Sequence, residues 1–267
     1  MRTVILLTVL SLTAGGMVSA AEPLVVRPSR VELHSPEDSV QVLAETVTGG
    51  RTVDRTRDAR WAVDDNKIAR VDPAGLVTPL SNGKTILKIT LDGATRSIDV
   101  VVDGVAQPRP LSFQQDVIPI LTKARCNSGG CHGKAEGQNG FKLSILGIEP
   151  QLDYQAVVKE ARGRRLFISD ASRSLVLRKA TGQVPHGGGK RLDVGSRDYQ
   201  VLLRWVQQGA VAPTDQDITL QQISVTPGQL VMECNATRQL RVTALFSDGT
   251  NRTVTGQALF TSNEEAI

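Results

Sequence analysis

Aromatic residues are scarce in this 267-residue chain, which has five Phe, two Trp and two Tyr. Its cores must therefore rest on Val, Leu, Ile and Ala, a composition that suits strand-rich modules. Basic runs interleaved with aromatics are missing, which argues against nucleic acid as a partner, since stacking platforms are built from such runs. Cysteine, histidine and methionine occur three times each. After the first 20 residues no apolar run approaches the ~20 residues that a membrane span requires. The N-terminal region has no twin arginine and no cysteine placed to take a lipid.

That region instead reads as an export signal, residues 1–20. Arg2 supplies the positive start, Val4 to Leu12 the apolar stretch, and Val18-Ser19-Ala20 the small-residue exit. A membrane anchor is the competing reading, and Gly15, Gly16 and Ser19 break it. The mature chain is expected to begin near Ala21 or Glu22 and to be periplasmic, surface-bound or extracellular. In an oxidising compartment the vicinal pair Cys126 and Cys131 should be bridged, metal-bound or covalently modified. Cys234 stands apart and is expected to be a lone, partly buried strand residue. His34 is expected to be an ordinary surface residue.

Charge is unevenly spread. Residues 108–213 carry 16 Lys/Arg against 8 Asp/Glu, so this segment is +8 and the remainder −4, within a formal total of +4. Such a basic segment suits an acidic partner or the acidic groups of a cofactor.

The flanks on either side of it resemble each other. "SVQVLAET" (39–46) and "QLRVTALF" (239–246) alternate in step, with Val40, Val42 and Ala44 set against Leu240, Val242 and Ala244. After one residue is dropped in the turn, "ARWAVDDNKI" (59–68) follows against "ALFTSNEEAI" (258–267), with Trp61 opposite Phe260. Alternation with turn signals such as "SDGT", "SNGK" and "LDGA" predicts antiparallel strands in a β-sandwich. Around "SDGTNRTVT", "TSNEEAI" and "DPAGLVTPLSNGKTILKIT", the chain resembles the bacterial immunoglobulin-like group 2 (BIG2) domain, over residues 24–103 and again 217–267. The second copy stops where the first still has about 35 residues to run. The chain is therefore expected to be a fragment or an early stop of a longer protein, because half a sandwich leaves an unpaired edge.

The middle segment has helical periodicity. "SFQQDVIPILTKAR" (112–125) places Phe113, Val117, Ile120 and Leu121 on one face, with Ser112 as cap and Pro119 as a kink or a second start. "DYQAVVKEA" predicts a short helix. "SRDYQVLLRWVQQGA" (196–210) offers a Ser196 cap, an apolar face of Tyr199, Leu202, Leu203 and Val206, and a Gly209 stop. Between the first and last of these lies "CNSGGCHGK" (126–134). Three chemistries suit it. A zinc site would need Cys126, Cys131, His132 and His186 in a tetrahedron, and adjacent Cys131 and His132 would both have to turn onto one ion. A Cys126–Cys131 disulfide leaves His132 unexplained. Covalent haem uses all three, because Cys…Cys-His is the order of a c-type attachment site. The spacer here has four residues rather than the usual two, and Gly129-Gly130 is expected to ease the bulge.

No methionine lies between residues 108 and 213, so the other axial ligand would be His186 in "QVPHGGGKR", giving bis-histidine ligation and a lower potential than His/Met. Lys190 and Arg191 are candidates to neutralise the haem propionates, as are Arg164 and Arg165. The run from "FQQDVIPILTKARCNSGGCHGK" through "VPHGGGKRL" to "DYQVLLRWVQQGA" resembles the cytochrome c-like domain of large secreted planctomycete proteins. This resemblance covers roughly residues 111–212 and implies haem c on Cys126, Cys131 and His132. Many relatives carry a methionine-proline segment where this chain has "VPHGGG".

The expected architecture is thus multidomain. An all-β Ig-like sandwich (24–103) precedes a small all-α cytochrome c-like domain (108–213) and a truncated second Ig-like sandwich (217–267). The expected function is single-electron transfer through covalent haem iron with an unidentified redox partner protein, and no catalytic acid–base constellation is apparent. A cell-surface or polysaccharide-binding module is the alternative, as is the electron-relay part of an enzyme whose catalytic domain lies further along.

Overall fold

The computed structural model describes residues 23–232 and 234–264. The expected export signal and the last residues of the second repeat lie outside the described residues.

Ten strands come first: β1 (Val25–Arg27), β2 (Arg30–Leu33), β3 (Val40–Gln41), β4 (Leu43–Thr48), β5 (Arg51–Asp54), β6 (Arg60–Val63), β7 (Ala69–Val71), β8 (Leu76–Pro79), β9 (Gly83–Leu91) and β10 (Ala94–Val102). They form a four-stranded sheet in the order β2-β10-β9-β6 and two three-stranded sheets, β1-β4-β5 and β3-β8-β7. Among the described strands only the β2–β10 pair is parallel. Strict alternation in β9 buries Leu87, Ile89 and Leu91, and β10 adds Ile98, Val100 and Val102 to the same core. Ala44 and Val77 close it from the other sheets, with Val42 between β3 and β4, which makes this unit a β-sandwich. The β9–β10 hairpin turns on Asp92-Gly93, both at positive φ, as an Asp-Gly two-residue turn requires.

Residues 108–213 hold helices, turns and one isolated bridge, Gln138–Phe141. Ser112 Oγ accepts from the Gln115 N–H and caps a π-turn over Phe113–Val117. This runs into α1 (Ile118–Lys123), with Pro119 in its first turn, where a missing N–H costs little. Further along lie α2 (Pro150–Tyr154), which continues as a π-turn, then α3 (Leu175–Ala180) and α4 (Arg197–Gln207). Ser196 caps α4 through the Tyr199 N–H, and the chain leaves it with Gly209 at φ 91°. Trp205 of α4 is the largest fully buried side chain, packed on Phe113, which meets Tyr154 edge-on.

The third unit is a sheet of β11 (Leu220–Thr226), β12 (Arg241–Phe246) and β13 (Asn251–Thr253) in sequence order. The internal repeat is real in structure, but its register is two residues away from the one the sequence suggests. In the first copy the Arg55 N–H bonds the Ala44 carbonyl, and Thr56 Oγ1 accepts from the Ala44 N–H. In the second copy Val254 and Thr255 do the same for Val242. Ala44 therefore corresponds to Val242, and Leu43 to Arg241. A shift of two preserves which face is buried, so alternation alone cannot detect it. Two further expectations need correction. Phe260 lies on no strand and is half-exposed at 51%, whereas Trp61 packs on the sandwich core. Strand β6, which carries Trp61, pairs with β9, and no strand like β9 occurs in residues 217–264. Cys234 sits exposed in a turn, not in a strand.

The sandwich and the helical unit meet at Glu37. Its buried carboxylate accepts from Arg204 of α4, and its carbonyl accepts from Arg197. Replacing Glu37 by Ala strands Arg204, whose Nε and Nη1 already lack partners among the described residues. Removing one partner of a buried pair costs about 3–5 kcal/mol. Glu37→Ala should lower the denaturation midpoint accordingly in urea unfolding, and Glu37→Gln by less.

Candidate haem site

The loop that carries the cysteines is folded by its own backbone. Cys126 N–H bonds the Leu121 carbonyl at the end of α1, and His132 N–H reaches back to the Cys126 carbonyl at 3.0 Å. Cys131 and Gly133 both donate to Ser128. Gly133 has no room for a side chain, since a Cβ there would lie 2.3 Å from the Asn127 carbonyl. Gly129 and Gly130 behave differently from expectation. Neither takes a left-handed backbone, and a Cβ on either would meet open space. The positive φ falls on Arg125 instead, at 59°. The four-residue spacer is thus accommodated without glycine's conformational freedom, and Gly130 lines the cavity beside the loop.

That cavity measures about 520 Å³, within the ~300–1,000 Å³ usual for small-molecule sites. Cys126, Cys131, His132 and His186 all line it. Ile120, Leu121, Leu143, Val176, Leu192 and Leu202 supply an apolar floor, and Arg164, Arg165, Lys179 and Arg191 supply positive charge. No carboxylate is among the lining residues.

The two imidazoles are prepared in the same way. His132 Nδ1 lies 3.0 Å from the Phe141 carbonyl, and His186 Nδ1 lies 2.8 Å from the Gly189 carbonyl. A carbonyl can only accept, so each Nδ1 carries a proton, and in the neutral imidazole that leaves the lone pair on Nε2. The rings are within 10° of parallel with centroids 6.5 Å apart. Burial, chiefly, holds the His132 pKa below its ordinary value, with the charges of His186, Arg165 and Lys179 acting in the same direction. His132 therefore stays neutral to lower pH than a free imidazole. Gly188 keeps its place because a Cβ there would come 3.0 Å from the His186 ring.

The cysteines are not bridged. Burial pushes the Cys126 thiol up to about 11, against a smaller opposing pull from Arg191. Among the described residues no three His, Cys, Asp or Glu side chains converge as a metal cluster would require, so the zinc tetrahedron is not formed.

The basic residues divide into two groups. Arg191 lines the cavity, and its charge is felt by Cys126. Lys190 does not line it, since its ammonium pairs with Asp193 at the surface. Arg164 lines the cavity and is exposed. Arg165 is buried and its donors are taken up by carbonyls of Ala156, Glu160 and Gly140. Sequence reading missed Lys179, which ties α3 to the histidine loop by donating to the Pro185 carbonyl at 2.9 Å. It also missed Phe141, whose ring lies 4.4 Å from that of His132. Lys179 follows Arg178 as one of two adjacent cations, and nothing in the sequence marks which faces inward.

The first unit is a β-sandwich of mostly antiparallel strands, and no helix among the described residues is long and apolar enough to cross a membrane. Residues 29–102, just over a quarter of the chain, match the family of the bacterial Ig-like domain (group 2). No cytochrome c family is matched. No curated protein matches the chain.

Alkylation of the haem-free chain checks the thiol environments. At pH 8, Cys234 should react first and Cys126 last, about a hundredfold slower than an unperturbed thiol, since two units of raised pKa cut the thiolate a hundredfold. Equal rates at Cys126 and Cys234 would contradict the buried placement of Cys126.

Proposed function

We propose that residues 108–213 hold a covalently attached haem c and pass single electrons, in a protein that acts outside the cytoplasm. The pairing of His132 and His186 carries this reading. Two imidazoles sharing one metal ion, each nitrogen ~2 Å from it, would have ring centres about 6 Å apart, and these parallel rings are 6.5 Å apart. Both offer Nε2 as the free nitrogen, and the carbonyls behind them are the orienting partners that metal-binding histidines use. Cys126 and Cys131 line the same cavity as the histidines and would form the two thioethers. The apolar floor would exclude water, while Arg191 and Arg164 at the exposed side suit propionate carboxylates. When bound, haem supplies a reversible one-electron iron couple. The chain's part would be to hold the His132 and His186 rings by their Nδ1 hydrogen bonds and to keep carboxylates out of the cavity. Such a site favours electron transfer over substrate chemistry, with a redox protein as partner.

The Ig-like match supports a second reading, in which the sandwich binds a cell-surface or polysaccharide component and the cysteine loop is incidental. The two readings separate on one measurement. Made in a host with c-haem maturation, the chain should give a pyridine haemochrome of one covalent haem per chain, lost in Cys126→Ser/Cys131→Ser. Absence of covalent haem sinks the first reading and leaves the second. With haem attached, His186→Ala should convert a low-spin spectrum to high-spin, and an unchanged spectrum removes His186 from the ligand set.

A further inference from the structure

A second cavity, about 280 Å³, lies where all three units meet. It is lined from the sandwich by Arg30, Glu32 and Asp38, from the helical unit by Arg109, Gln115, Asp116 and Arg197, and from the third sheet by Arg241, Thr243, Asn251 and Arg252, among others. Five arginines thus face three carboxylates. Two of the arginines are already neutralised, Arg30 by Glu32 at 2.9 Å and Arg109 by a bidentate pair with Asp116. Arg197 is turned toward Glu37 and Asp198. Arg252 lies over the Phe246 ring, 4.7 Å from its centroid, and has no ion pair among the described residues.

Arg241 is the exception among them. Its guanidinium makes no hydrogen bond or ion pair among the described residues, and its Nε is buried without an acceptor. Desolvation pulls its pKa down with nothing opposing it. The corresponding position of the first copy makes the cost plain. Leu43 pairs with Arg27 in β1 as Arg241 pairs with Thr226 in β11, and Leu43 is fully buried. The second copy has placed a cation where its sister strand keeps a leucine. Arg241 is half-buried, and a guanidinium whose Nε is out of water without an acceptor is stabilised when an anion meets it.

We propose that this cavity binds a small oxyanion, the carboxylate of a sugar acid or inorganic phosphate, with Arg241 as the anchor. The planar guanidinium fork suits either group. Thr243, Asn251 and Gln115 add uncharged donors of the kind that meet hydroxyls or further anion oxygens. The volume admits one sugar unit or one phosphate and not an extended chain, being below the ~300 Å³ at which drug-sized pockets begin. This site is separate from the His132–His186 cavity and stands whether or not haem is attached.

Thermal unfolding and calorimetry on the full chain, at fixed ionic strength set with chloride, test the assignment. Sodium glucuronate or sodium phosphate should raise the midpoint and titrate to one site per chain, while neutral glucose should do neither. Saturation by glucuronate alone names a sugar acid, and saturation by phosphate alone names the free anion. Arg241→Gln should weaken binding at least tenfold, and Lys134→Gln, on the far loop of the helical unit, should leave it unchanged. Should Arg241→Gln fold poorly, Arg252→Gln takes its place and should weaken binding several-fold. If neither anion binds the wild-type chain, or if Arg241→Gln binds with undiminished affinity, the proposal is overturned.

Discussion

A single buried guanidinium organises the helical unit. Arg165 donates to the carbonyls of Ala156 and Gly140 at 2.7 and 2.8 Å, and to that of Glu160 at 3.3 Å. Those carbonyls belong to two separate stretches of loop and turn that carry little secondary structure of their own. The same guanidinium stacks on Phe141, 4.4 Å from its ring centre. Phe141 in turn packs its ring on His132 and accepts the His132 Nδ1 proton at its carbonyl. The orientation of one imidazole therefore depends, through one phenyl ring, on a charge about which three carbonyls converge. A neutral side chain could not satisfy those carbonyls, and a lysine could not lie flat on the ring.

Meeting a buried charge with carbonyl dipoles rather than carboxylates has a consequence for the cavity. The nearest carboxylate, Glu160, is half-exposed and 4.0 Å away. The segment's +8 surplus is thus left unneutralised where it faces inward, and Asp193 draws off only the exposed Lys190. The acidic residues that are buried here serve structure instead. Asp116 holds Arg109 and the Ser112 N–H at the first helical turn, and Asp153 accepts from Ser144 beside the cysteine loop. Burial raises the Asp153 pKa, against the pull of its Ser144 hydrogen bonds.

Local signals were legible in the sequence where local chemistry decides. Ser112 and Ser196 cap the helices they were expected to cap, and Asp92-Gly93 makes the hairpin its pair of residues encodes. His132 and His186 were singled out by spacing and by the lack of methionine, and the fold brings them to one cavity. What failed depends on distance along the chain. The role of Arg165 requires knowing that Gly140 and Ala156 lie beside it. The repeat's true register lies two residues from the one its alternation suggests, because a period of two carries no information about a shift of two. Gly129-Gly130 looked like a device for bending the loop, yet the bend falls on Arg125.

The corrected register changes what the duplicated sheets mean. Under the offset that alternation suggests, Arg241 would match Gln41, and a polar residue would have replaced a polar one. With Leu43 as its counterpart, the second copy has exchanged a buried apolar side chain for a cation at the junction of the three units. The junction is otherwise closed by matched charges, Glu37 with Arg204 and Asp116 with Arg109, and by the Gln239 N–H on Asp54. Of the five arginines that line this junction, Arg241 alone has no hydrogen bond, ion pair or ring contact among the described residues. Arg241 is therefore better understood as part of a binding site than as a packing defect of the third sheet.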